Sequence, residues 1–204
     1  LASKPEQMYN DLVQLVLYDC PQAQSELVQR MIIESMRMLA EETCLLQTSL
    51  FPEVEDNVAD YPLADLLPEG FEICATRLVK FCGCCILPVG ECNDCACGYS
   101  MVDDECIRLH PAPCGAARNS LEVKVAVMPC YDVCSIPKEY TKYQKLIHDM
   151  TTVSLMKMPK KPWSDFREAR ARMVEIQGRI REVQEKISRR LAPERVHDDR
   201  AVAI

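Results

Sequence analysis

Thirteen cysteines are the chain's densest source of chemistry, and eleven of them fall between Cys74 and Cys134. Thiolates either ligate soft metals or pair by oxidation. The segment Cys92-x-x-Cys95-x-Cys97, followed by Cys106, offers four thiolates to a tetrahedral structural zinc. Zinc folds normally present two knuckles of paired cysteines, and here the second knuckle has Cys106 alone. Cys82, Cys84 and Cys85 could complete a site, but adjacent cysteines are awkward ligands. Disulfides suit the pattern better. On a strand, Cys84 and Cys85 point to opposite faces, so one can bridge locally while the other faces a neighbouring subunit. The disulfide candidates are Cys74, Cys82, Cys84, Cys85, Cys92, Cys95, Cys97, Cys106, Cys114, Cys130 and Cys134. One bridge closing a ~15-residue loop contributes about 3 kcal/mol in the chain-entropy model, which matters in a small β-domain. The odd total leaves at least one thiol free or available to another chain. Cys20 and Cys44 stand apart and read as small reduced core residues. No signal peptide is expected, and on that expectation the thiols either hold metal or become oxidised in a place reached after synthesis.

No catalytic set accompanies the thiols. His110, His148 and His197 fall in a strand-end turn, a helix and the tail, outside any nucleophile or metal motif. Six glycines form no phosphate-binding loop, and Asp103-Asp104-Glu105 reads as a solvated turn. The expectation is a non-enzyme without cofactors. Charge is unevenly spread: Pro159–Arg190 holds ten Lys or Arg against five acids, so its local charge is +5 within a chain of net −7. Such a segment suits an acidic partner, protein or nucleic acid, although the interleaved acids equally fit a solvated helix face. No apolar run reaches the ~20 residues that span a bilayer, so no membrane partner is expected.

Around these residues the pattern is α+β: a helical bundle from the N- and C-terminal segments with a small antiparallel β-domain inserted. Residues 1–50 read as N-terminal helices, broken at Asp19-Cys20-Pro21, the second running from about Gln22 to Gln47. Residues 51–135 read as the cysteine-rich antiparallel β-domain. Its β-prone runs are Phe71–Cys82, Cys84–Leu87, Tyr99–Val102, Cys106–Leu109 and the alternating Leu121–Met128. Residues 136–190 read as the C-terminal helices, the last capped by Ser164, and 191–204 as an extended tail. On the last helix Phe166, Ala169, Met173, Ile176, Ile180, Val183 and Ile187 recur every three or four residues. That seam must pack on another helix, of this chain or of a neighbour.

The order of several motifs resembles the head-to-tail adaptor (connector) proteins of tailed bacteriophages. They are N-terminal helices ending near Leu50-Phe51, then Asp60-Tyr61-Pro62-Leu63 and Pro68-Glu69-Gly70-Phe71-Glu72-Ile73 leading into a strand. Ile107-Arg108-Leu109-His110-Pro111-Ala112-Pro113 and Leu121–Pro129 follow. Last comes a helix into Met158-Pro159-Lys160-Lys161-Pro162-Trp163-Ser164-Asp165 and the arginine-rich terminal helix. The cysteine load between Cys82 and Cys106 departs from that pattern. The resemblance implies a structural virion protein of the head–tail neck, made in the host bacterial cytoplasm. It implies a ring, commonly of twelve subunits, beneath the portal protein, docking the next neck or tail-completion protein and passing the genomic DNA. The tail past Leu191 would reach the portal. Arg167, Arg170, Arg179, Arg181, Arg189 and Arg190 are then the candidates to contact portal or DNA. A zinc-binding module for nucleic acid or protein is the alternative.

Overall fold

The computed structural model describes residues 4–89, 97–103, 105–114, 120–133 and 136–191, excluding the side chains of residues 4, 5, 190 and 191. Helix α1 (Lys4–Asp19) buries Leu12, Val13 and Val16 on one stripe and stops where Pro21 forbids a further turn. Helix α2 (Ser25–Thr43) buries Val28, Ile32, Met36 and Leu39. It is shorter than its sequence suggests. Cys44 adopts a left-handed conformation (φ 49°, ψ 42°) and donates its N–H to the Ala40 carbonyl at 2.7 Å, closing the helix without a glycine. The chain then leaves as strand β1 (Leu46–Leu50).

Strands β2 (Asp60–Pro62), β3 (Phe71–Phe81), β4 (Cys84–Pro88), β5 (Gly98–Asp103), β6 (Cys106–His110) and β7 (Leu121–Pro129) complete one sheet. Its order is β1-β7-β3-β4-β5-β6-β2. The β4–β5 pair is parallel (Leu87 opposite Gly98, Pro88 opposite Tyr99) and the other pairs are antiparallel, so the sheet is mixed. Gly98 permits that junction: a Cβ there would stand 3.2 Å from the Leu87 carbonyl oxygen. The sheet curls into a half-barrel and is the centre of the fold.

This corrects the expected fold class, an antiparallel β-domain inserted into a separate helical bundle. Strand β1 emerges from the stretch read as helix and pairs with β7 over five residues, from Leu46–Val127 to Leu50–Val123. Helix α2 lies directly on β7 and β3. Leu121, Val123, Val125 and Val127 are buried on one face of β7, and Ala126 on the opposite face is buried too. Paired with β1 on one edge and β3 on the other, β7 is a central strand, and one continuous core runs from the helices into the half-barrel.

After Pro137 the chain makes a 3-10 turn over Lys138–Tyr143, then helix α3 (Gln144–Met156) and helix α4 (Phe166–Leu191). Tyr140 is fully buried and donates its hydroxyl to the Met36 carbonyl at 3.2 Å. The cap of α4 is Asp165, not Ser164: Asp165 Oδ1 accepts the Glu168 N–H at 2.9 Å. Ser164 instead closes the preceding turn, donating to the Met158 carbonyl and accepting from the Lys161 N–H at 3.1 Å. Among the described residues no helix is long and apolar enough to cross a membrane.

Candidate functional site

The β3–β4 hairpin carries the densest thiol group. Its two-residue turn, Cys82-Gly83, has both φ angles positive (50° and 80°), the geometry that matches strand twist in tight hairpins. Gly83 tolerates this without strain. Cys82 is held in it by an N–H bond to the Ser120 carbonyl at 2.7 Å. Phe81 pairs with Cys84 and Lys80 with Cys85, and cross-strand partners share a face. Cys84 and Cys85 therefore do point to opposite faces, and Cys82, Cys84 and Cys85 are all exposed.

The remaining sites are scattered. Cys97 and Cys114 are exposed, while Cys74, Cys106 and Cys130 are partly buried. All ten described cysteines, Cys20 and Cys44 included, are free thiols. Cys92, Cys95 and Cys134 lie outside the described residues. The four-cysteine zinc set does not close. Cys97 adjoins the Gly98–His110 end of the β5–β6 ladder and Cys106 stands opposite Asp103 at the other end. At ~3.3 Å per residue they are roughly 17 Å apart, whereas sulfurs on one zinc lie within about 4 Å. Among the described residues no group of three His, Cys, Asp or Glu could hold a metal.

Burial, then the neighbouring Cys44 and Glu41, push the Cys74 thiol up to about 11. Cys74 sits in a β3 bulge, between register positions Ile73 and Ala75. Few of its molecules are thiolate at pH 8, and the thiolate is the nucleophile. Alkylation of the native chain with iodoacetamide at pH 8, followed by peptide mass spectrometry, is expected to label Cys82, Cys84 and Cys85 about 100-fold faster than Cys74. Equal rates would show that the bulge opens.

Sequence reasoning missed one hydrogen bond of chemical interest, Ser100 Oγ to His110 Nε2 at 2.8 Å. It became visible only with the β5–β6 register. No carboxylate among the described residues hydrogen-bonds the other ring nitrogen, so the pair lacks the orienting group of a hydrolase triad and ties β5 to β6. His148 bridges Asp149 (3.1 Å) and Asp19 (3.5 Å), a link between α3 and the end of α1.

Helix α4 sorts its residues by heptad position. Ala169, Ile176, Ile180, Val183 and Ile187 are buried and Met173 half-buried, while Phe166 at the start of the seam is 57% exposed. The seam is consumed inside the chain, against α3 and α2. Arg172 and Arg179 flank it and turn inward, Arg179 to Asp149 and Arg172 to Glu168 and Asp19. Arg179, a candidate for portal or DNA contact, is thus committed to α3. Arg189 pairs with Glu185 on the surface at 3.4 Å, and the Arg190 side chain lies outside the described residues. Arg167, Arg170 and Arg181 are exposed and ion-pair with no described residue. No protein-family model matches the chain, and no curated protein matches it either.

Proposed function

We propose that this chain is the subunit of the adaptor ring joining the portal of a tailed phage to its tail, a mechanical and not a catalytic role. The supporting observation is the α3–α4 unit. A tight turn at Met158–Asp165, closed by Ser164 and capped by Asp165, sets a long helix whose seam is satisfied within the subunit. Its outer face, with Arg167, Arg170 and Arg181, stays available to partners. This is the most specific of the motifs on which the resemblance rests. The partners are further copies of the chain, the portal, the next neck or tail-completion protein and the passing DNA, in the neck of the virion. Exposed Cys82, Cys84 and Cys85 can also be oxidised in the released particle, dissolved oxygen accepting the two electrons and two protons of each thiol pair.

Co-sedimentation of the purified chain with purified portal rings tests the proposal. Stoichiometric binding in a ring is expected. A chain that stays monomeric beside portal rings, together with particles that lack it yet retain DNA and attach tails, would sink it.

A further inference from the structure

Rings closed by rotation use heterologous contacts: one surface of each subunit meets a different surface of the next. Copies related by such a rotation have no shift along the ring axis. Where a helix runs along that axis, complementary groups must therefore sit at the same height on its two flanks. Helix α4 has this arrangement. Glu168, Glu175 and Glu182 recur every seven residues along one flank, while Arg167, Arg170 and Arg181 lie along the other. At about 100° per residue, Arg167 and Glu168 differ in direction by about a quarter-turn and in height by ~1.5 Å, and so do Arg181 and Glu182. These two couples stand two heptads apart, ~21 Å along the helix.

Both stripes are exposed. Glu175, Glu182, Arg167, Arg170 and Arg181 ion-pair with no described residue, and Glu168 alone is engaged, with Arg172 at 2.7 Å. Val174 is 71% exposed beside the arginines, an apolar contact left unfilled by the chain itself. The inward charges behave differently: Arg172 and Arg179 are satisfied by Asp19 and Asp149 of the same subunit. The charges that remain are those of two opposite-signed flanks.

Resting on the adaptor reading, we infer that the occupant of this face is a second copy of the chain: the Glu168/Glu175/Glu182 flank of one α4 docks on the Arg167/Arg170/Arg181 flank of the next. The arginines are thereby assigned to the neighbouring subunit and not to DNA or portal. Such a contact weakens as salt rises, because both stripes lie at the surface.

Charge exchange within one chain tests this. The variants are Arg181→Glu, Glu182→Arg and the double Arg181→Glu/Glu182→Arg, each as the full chain, with ring assembly followed by sedimentation with and without portal rings. Both positions of the test are exposed, so circular dichroism and the slow alkylation of Cys74 should match the wild type. Each single variant places like charges face to face and is expected to weaken assembly by at least about tenfold. The double restores opposite charges with polarity reversed and is expected to recover assembly to within about threefold. If Glu182→Arg assembles like the wild type, or the double is no better than the singles, the α4–α4 contact is overturned while the ring survives. If the wild type forms no ring even with portal, the adaptor reading falls, and this inference with it.

Discussion

Ile180→Asp is expected to destabilise the chain by about 4 kcal/mol, read as a shift of the urea midpoint at unchanged slope. Ile180 is 4% exposed at the middle of the α4 seam, between buried Ile176 and Val183. Burying an isoleucine contributes roughly 1.5–3 kcal/mol, and the variant loses that and also desolvates a carboxylate. Much of the rest of α4 is charged, with eleven of its residues from Arg167 to Arg189 being Arg, Lys or Glu on solvent-facing positions or inward ion pairs, so the seam must hold the helix down. Phe166→Asp is the matched control. Phe166 continues the same periodic seam but is 57% exposed, and its replacement should change stability by less than ~0.5 kcal/mol. Equal effects would mean that the Ile180 side of α4 does not face α3 and α2.

Arg37→Met is expected to cost about 2–3 kcal/mol. The Arg37 side chain is 12% exposed and joins α2 to the sheet in three ways. It donates to the Pro129 carbonyl at 2.8 Å, ion-pairs with Glu72, and stacks 4.2 Å above the Tyr131 ring. Methionine keeps most of the stem packing and leaves Pro129 and Glu72 without this partner. A fully buried pair broken this way costs about 3–5 kcal/mol, but Glu72 is 35% exposed and water takes over part of its solvation, which brings the figure down. Glu72→Gln should cost less than Arg37→Met, since Arg37 keeps the Pro129 carbonyl and the Tyr131 ring. The reverse order in chemical denaturation would contradict the account of this junction.

The strands were legible wherever alternation survives. Phe71–Phe81, Cys84–Pro88, Cys106–His110 and Leu121–Pro129 differ from the expected runs by one residue at an end, and Gly98–Asp103 by one residue at each end. Strand β1 was hidden because Leu45 and Leu46 extend the helical stripe of α2, and its stop is a left-handed cysteine where a glycine is the usual signal. The central position of the sheet was hidden with it, since β1 carries the sheet under the helices. At the start of α4, Ser164 and Asp165 are both good caps, and the choice between them rests on a turn geometry that spacing does not encode.

The functional residues divide in the same way. The α4 seam and the opposed directions of Cys84 and Cys85 follow from local periodicity. The separation of Cys97 from Cys106 depends on how β5 pairs with β6, and the capture of Arg179 depends on Asp149, thirty residues earlier in the chain. Neither partner is visible in a periodicity.

Where this chain sits is read directly by electron cryomicroscopy of the head–tail neck in particles that contain it. The expected result is a ring of density between portal and tail in which each subunit shows four helices on a seven-stranded half-barrel, with neighbouring copies of α4 side by side. A neck fully accounted for by other chains, with this fold absent from it, would rule out the adaptor role.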